Sequence, residues 1–364
     1  MYLFEREVRA LLETLHCVEH TSKESVRAVL LARKLENLLK LREQLKKSEG
    51  RALHLLRKVD YSSIVPHIIP VAPEDMPVWR YCRHVISSAP FLTRPARAVY
   101  FFCIDRKTNG VLGILDIGSE MQSLGPRDRY IAWSYDKKWH YGLNHIANMG
   151  TCVSVEPFGQ LCGGKFQAVA MTSSEIGRLW QKRYGDELAA ISTTSLYGKS
   201  SVYNRLAEYK YLGNTPGIGV AHVSADDYKL LKQFVIRNNL RTRVSGALSI
   251  MSQHDVITTV CSALNFDIKR ISSHQPRGVY FAQTGVNALE YLRDTESTKF
   301  EPYERDIAAI SEWYLQRWYK PRYEKKLDVI DGFSFDVYQV DAQIDLCRSA
   351  QNNHARLEVE SDVE

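Results

Sequence analysis

Residues 98–118 constrain the fold more than any other stretch of this chain. AVYFFCID (98–105) and VLGILDIG (111–118) are two apolar runs of strand length, and RKTNG between them places Asn109-Gly110 in the bend. That dipeptide accepts the positive φ of a tight turn, so the pair reads as a β-hairpin. Downstream, helical and extended segments interleave. RYIAWS (129–134) reads as a further strand, and KWHYGLNHIANM (138–149) as a short helix. TCVSVEP (151–157) is a strand that stops at Pro157, and 166–185 has helical spacing with Phe166, Val169, Ala170, Ile176, Leu179 and Trp180 inward. LAAISTTSL (188–196) is a strand, 200–210 a short helix, and YLGNTPGIGVAHVS (211–224) extended chain broken by turns. A hairpin followed by strands and helices in this order predicts an α+β fold, a mixed and mostly antiparallel sheet with flanking helices, rather than a doubly wound parallel one.

Around this core the pattern changes. The first sixty residues are helical: Thr21 and Glu24 form a T-x-x-E capping box, and Val26, Val29, Leu30, Leu38, Leu41 and Leu45 follow one helical stripe. Arg27, Lys34, Lys40 and Arg42 are assigned to the other, solvated faces. A helical hairpin docked on the body or on a partner is the expectation. Residues 61–97 carry six prolines and predict no long regular element. The resulting organisation is an N-terminal helical segment (1–60), a Pro-rich connection (61–97), a core (98–224), a mixed helical and strand extension (225–345) and an acidic flexible tail (346–364).

Lys and Arg number 48 against 42 Asp and Glu, a net charge of +6 in 364 residues. That mild excess suits a nucleic-acid partner without demanding one. The seven cysteines are dispersed and none forms a C-x-x-C pair, which argues against a disulfide framework or zinc site and for a reducing cytoplasm. The N-terminus carries charge from Glu5 onward, unlike a signal peptide, and no apolar run reaches membrane-spanning length. The histidines show no ligand spacing on a common helix, so no metal is expected.

Three stretches carry candidate chemistry. In STTSLYGKSSVYNRL (192–206), GKSS lacks the upstream glycine of a Walker A loop, since position 193 is Thr; Ser200 or Ser201 instead caps the following helix, and Gly198 permits the turn before it. VSVEPFGQLCGGK (153–165) ends a strand at a proline and opens a helix through Gln160, Gly163, Gly164 and Lys165, where freed N–H groups suit a pyrophosphate. Two aromatic and basic clusters suit stacking and phosphate neutralisation: Arg127, Arg129 and Trp133, then Trp313, Arg317, Trp318, Lys320 and Arg322. For each, a core or solvated-face role is the plainer account.

The blocks RDRYIAWS, VSVEPFGQLCGGK, WQKRYGDELAAISTTSLYGKSSVYNRLAEYKYLGNTPGIG and PRGVYFA (276–282) resemble the DruA-like family of the Druantia anti-phage defence system. Gly198, Tyr203, Leu212, Gly213, Thr215, Gly217 and Gly219 stand at its most specific motif, with a different turn spacing. The resemblance implies a bacterial, cytoplasmic defence component that acts with other subunits, including a large helicase, and with DNA, as an oligomer or not. The block order is also similar to a GNAT-type acyltransferase core. There a Q/R-x-x-G-x-G/A loop holds the coenzyme A pyrophosphate; Gln160, Gly163 and Lys165 occupy those positions, with Lys165 where Gly or Ala is expected. Ser200 replaces the usual Asn at the next helix, and Ala207 the usual general-acid Tyr. The resemblance thus implies acyl-CoA as a candidate cofactor, on Gln160, Gly163, Gly164, Lys165 and Ser200, with Tyr203, Tyr197, Lys199 and Asn204 as candidate catalytic groups.

Three functions follow: a nucleic-acid or nucleotide-binding defence component, an active acyltransferase modifying a base or protein amine, or an adaptor with a vestigial enzyme fold.

Overall fold

A computed structural model describes residues 2–14, 23–87, 89, 91, 96–133, 142–196, 198–215, 218–220, 225–240, 253–274 and 276–361. The chain divides into two units, one formed by 1–26 and 216–277, the other by 27–215 and 278–364.

In chain order the larger unit holds α2 (Lys23–Arg57, whose first residues fall in the smaller unit), β1 (Pro66–Pro70), α3 (Met76–Val85), β2 (Ala98–Asp105), β3 (Val111–Ser119), α4 (Gly125–Ile131), β4 (Ile146–Ser154), α5 (Gly163–Ala170), α6 (Ser174–Tyr184), β5 (Ala190–Ser195) and β6 (Tyr209–Asn214). The smaller holds α1 (Tyr2–Thr14), β7 (Ile218–Val220), α7 (Ala225–Arg237), α8 (Gln253–Ala263) and β8 (Ser272–His274). The larger then resumes with β9 (Gly278–Gln283), α9 (Ala288–Arg293), α10 (Ile307–Tyr314), α11 (Lys320–Tyr323), α12 (Leu327–Asp331) and α13 (Val340–Ser361).

The larger unit is α+β, as expected. Its seven-stranded sheet has the order β1-β2-β3-β4-β5-β9-β6. Every neighbouring pair is antiparallel except β4 and β5. The hairpin of 98–118 is present, with Asn109 at φ 58° and Asp105 accepting from Val65 N and the Thr108 hydroxyl. Both sheet faces are covered. Val99, Phe101 and Cys103 of β2 point to a core shared with Phe166, Trp180, Ile310 and Tyr314 on α5, α6 and α10. Phe102 and Ile104 point to a second core with Leu38, Leu45 and Leu56 of α2, Trp79 and Tyr81 of α3, and Ile344 of α13. The period of two along β2 is what sends alternate residues to the two cores. The smaller unit buries Val8 and Leu12 of α1 against Leu231 and Phe234 of α7 and Val256 and Val260 of α8.

Several local expectations change. Residues 129–133 are not a strand, and Ser134 lies outside the described residues: α4 occupies 125–131, with Pro126 in its first turn and Ala132 at φ 63° ending it. Arg127 and Ile131, four apart, share its buried side, a spacing that alternation along RYIAWS disguised. Within 138–149, Leu143–His145 is a single 3₁₀ turn and Ile146–Met149 already belongs to β4; the part before Gly142 lies outside the described residues. Residues 201–208 run through turns rather than a helix, and Tyr209 and Lys210 already belong to β6, so Tyr203 and Leu206 are buried from the turn run and Tyr209 from the strand. The prolines of 61–97 do not preclude regular structure. Pro66 and Pro70 sit in β1, at the sheet edge where a missing N–H is tolerated, and Pro77 lies in the first turn of α3. The polar C-terminal run continues as helix to Ser361. The Thr21–Glu24 capping box falls outside what is described, since Thr21 is not placed.

Lys34 departs from its assigned solvated face. It lies on the buried stripe of α2, and its ammonium donates to the Val85 carbonyl (2.5 Å) and to Gln343 Oε1 (2.6 Å). Burial pushes its pKa down to about 8 from 10.5. Above that value the folded chain has released a proton that the unfolded chain still holds, so stability rises with pH between about 8 and 10.5. Relative to Lys34→Met, the wild type is expected to gain up to about 3 kcal/mol across that window. Denaturant melts of both proteins at each end of the window check this; a constant difference refutes it.

Candidate nucleic-acid interface

Two segments far apart in sequence meet on one face of the larger unit. The helical path after α10 passes through a π turn at Leu315–Tyr319, where the Lys320 N–H reaches back five residues to the Leu315 carbonyl. Pro321 explains the widening. It has no N–H to bond the Arg317 carbonyl four residues back, and its ring would press on that carbonyl in a regular α-helix. The wider turn carries Trp318 inward and leaves Arg317 and Lys320 exposed.

Trp318 is only 7% exposed, so it offers little face for a base to stack on. Its role is to gather cations. Lys165 Nζ lies 4.8 Å from its ring centroid, the Arg322 guanidinium 4.9 Å and the Arg317 guanidinium 5.6 Å. An aromatic face stabilises such cations by about 0.5–2 kcal/mol each. Arg322 also donates to the Trp318 carbonyl at 3.2 Å. Lys165 comes from the start of α5, is buried, and donates to the carbonyls of Ser201 and Val202, both at 2.8 Å. Burial lowers its pKa, and the nearby charges of Arg205 and Arg322 push it the same way. Among the described residues, none of Lys165, Arg205, Arg317, Lys320 and Arg322 forms an ion pair with a carboxylate. Arg205, Arg317, Lys320 and Arg322 reach the surface with no carboxylate paired to them, an arrangement that favours anions. Arg205 was absent from the sequence reading; nothing local marks it, because only the turn run at 201–205 brings it beside Lys165.

The other basic and aromatic cluster is placed differently. Arg127 is fully buried, ion-paired with Glu120 (2.8 Å) and Asp128 (2.5 Å), and donates to the Met121 carbonyl. Its guanidinium lies 5.4 Å from the Trp133 ring, and Trp133 donates its indole N–H to the Leu292 carbonyl at 2.6 Å. Arg127 and Trp133 are thus committed to interior contacts, and Arg129 alone of the three is exposed. Trp313 is half-buried under the Arg305 guanidinium, 5.5 Å from its ring centroid.

The loop read as a pyrophosphate cradle is satisfied internally. The N–H groups of Gln160, Leu161, Cys162, Gly163 and Lys165 donate to the carbonyls of Pro157, Phe158, Gly159, Phe158 and Cys162. A Cβ on Gly163 would meet the Phe158 ring at 2.1 Å, and one on Gly164 would touch Val202 at 3.5 Å. Gly163 thus accommodates the Phe158 ring, whereas a side chain at Gly164 would make only ordinary contact. The parallel pair β4/β5 bonds only over Ile146–Asn148 and Ala190–Ser192, so the strands diverge beyond it. Tyr203 enters that gap beside Thr193 on β5 and Cys152 on β4, and burial raises its pKa well above the ordinary range. Its ring lies between Tyr209 and Tyr280, at 5.1 and 5.0 Å. With the N–H groups of Gln160, Gly163 and Lys165 paired, the Lys165 ammonium turned to Ser201 and Val202, and Tyr203 in the gap, these residues do not fit an acyl-CoA donor.

The remaining candidates at this corner are held by β9. The Ser200 N–H donates to Tyr280 Oη at 2.7 Å, and Tyr280 donates to Asn204 Oδ1 at 2.5 Å. Lys199 is exposed with its ammonium 5.4 Å from the Tyr211 ring, and Tyr197 lies outside the described residues.

A family model described as Druantia protein DruA matches residues 20–294. The chain is similar to the curated Druantia protein DruA of Escherichia coli (strain UMEA 4076-1), 26% identical over 261 residues, covering 65% of this chain and 63% of that protein. It therefore spans less than two thirds of that relative's length. Among solved structures it is similar to a protein from Sphaerobacter thermophilus DSM 20745 described as an acetyltransferase, with 12% identity and a TM-score of 0.22, over 60% of this chain and 93% of that one.

Proposed function

The chain belongs to the DruA family, and from that premise we propose that it is a component of an anti-phage defence system that engages nucleic acid through the basic cluster around Trp318. The observation that carries this reading is the gathering of Lys165, Arg317 and Arg322 on one indole with no carboxylate paired to them. Arginines arrayed in this way neutralise phosphates, and the binding they give is steeply salt-dependent because counterions are released. The sheet supplies a rigid support for the cluster, and acyl transfer forms no part of the reading. The family resemblance adds further subunits of the same system, a large helicase among them, as partners, and a cytoplasmic setting. Among the described residues, no helix is long and apolar enough to cross a membrane.

Titrating the purified chain with labelled single- and double-stranded DNA at several salt concentrations tests the proposal. The expected result is saturable binding whose log affinity falls linearly with log salt, with a slope of at least about 3 in magnitude for the arginines and lysines of the cluster. Binding that is absent, or indifferent to salt, refutes it.

A further inference from the structure

Beside the Trp318 cluster two tyrosines form a stack that starts in the core and ends at the surface. Tyr319 closes the π turn and Tyr323 closes α11 four residues later, so the two side chains lie one helical turn apart on one face. Their rings are nearly parallel, 21° apart, with centroids at 5.5 Å, the offset arrangement that aromatic pairs prefer. The inner ring is fixed. Tyr319 is 4% exposed, its hydroxyl donates to the Tyr61 carbonyl, and its ring centroid lies 6.1 Å from that of Tyr314.

The outer ring is not held in this way. Tyr323 is half-buried through its contact with Tyr319. Among the described residues its hydroxyl makes no hydrogen bond. No lysine or arginine among them lies over its ring either, whereas three cations crowd Trp318. The surroundings are nevertheless basic: residues 317–326 hold Arg317, Lys320, Arg322, Lys325 and Lys326 against the single acid Glu324. A partly open aromatic ring set among cations is the combination by which proteins hold single strands. Backbone phosphates follow the cations and a base stacks on the ring, whatever its sequence, since every base has a flat face. The bases of a closed duplex are paired and already stacked on both sides, so none is left to extend the pile.

We infer that this surface takes single-stranded nucleic acid, with one unpaired base continuing the Tyr319–Tyr323 stack next to Arg322. The inference rests on the nucleic-acid reading above and names the form of strand that the same surface selects.

The test titrates the full chain, at matched salt, with three DNA oligomers. One is a single strand carrying 2-aminopurine. The second is a duplex of the same sequence closed at both ends by ethylene glycol linkers, so that no base is unpaired. The third is an abasic strand of equal length. The expected result is binding of the single strand about tenfold tighter than either of the others, with quenching of the 2-aminopurine fluorescence as the base stacks. Tyr323→Leu keeps apolar cover over Tyr319 but removes the flat face. It is expected to lower single-strand affinity to the abasic level and to abolish the quench, with the salt slope unchanged, while Tyr323→Phe keeps both signals. Equal or tighter binding of the closed duplex overturns the inference. So does a folded Tyr323→Leu protein that binds and quenches as the wild type does. The two readings fail separately. Salt-dependent binding of all three oligomers alike leaves the phosphate cluster standing and removes the stacked base. Quenching that depends on Tyr323 in a complex indifferent to salt removes the cluster and leaves the stacked base.

Discussion

Arg127→Ala is expected to destabilise the larger unit by about 3–5 kcal/mol, because it leaves the carboxylate of Glu120 buried and unpaired. Both side chains are fully buried, and their contact is 2.8 Å. Glu120 also accepts from the Ser192 hydroxyl on β5 and from the Met121 N–H, so the ion pair ties α4 to the centre of the sheet. For a chain of this size that loss corresponds to a drop in melting temperature of roughly 4–7 °C. Replacing the pair together, Arg127→Met with Glu120→Leu, is expected to recover most of the loss, since buried ion pairs often exchange for apolar pairs at little cost. Thermal melts of the two variants against wild type decide the matter. A melt unchanged in Arg127→Ala, accompanied by weaker DNA binding, would instead return Arg127 to the nucleic-acid contact suggested by its sequence neighbours.

The second large effect is on binding. Arg317→Ala and Arg322→Ala are each expected to weaken DNA affinity by about tenfold, the scale of one charge-assisted hydrogen bond. Combined, they should reduce the salt slope by about 2, one for each phosphate contact removed. Arg317 is exposed and Arg322 half-buried, so neither change opens a core cavity and the melt should move little. Titration of the double variant over a salt series, with the melt as control, separates the outcomes. An unaltered slope would place the nucleic-acid surface elsewhere on the chain. Lys165 is a poorer probe of the same cluster, because its ammonium also holds the Ser201 and Val202 carbonyls and its loss would loosen the turn run.

Much of the architecture is legible in the residues alone. The hairpin at 98–118 carries its turn signal at Asn109-Gly110, and the helices at α2, α6 and α10 show their apolar stripes, because backbone conformation and side-chain period are local properties. The errors arose where two periods overlap over a short run. RDRYIAWS (127–134) ends in strand-like alternation yet also places Arg127 and Ile131 four apart, and Pro126 in the first turn of a helix decided it. Tyr203, Leu206 and Tyr209 have helical spacing but serve a run of turns and the start of β6.

The site was legible only in its parts. Charge is visible in a sequence, but what neutralises it is not. Arg127 and Arg317 look alike beside their tryptophans, yet one is sealed against Glu120 and the other stands exposed with no carboxylate paired to it. Lys34 and Lys40 share a helix, and the neighbouring α3 and α13, through Val85 and Gln343, make only the first of them interior. Lys165 was read with a glycine loop and Trp318 with a distant helix, and their meeting needs the sheet to bring α5 and the π turn together. Local chemistry therefore determined the elements, the family and the supply of basic and aromatic side chains. Tertiary packing decided which of those charges are paired, buried or left facing solvent, because desolvation and ion pairing depend on neighbours that no local spacing specifies.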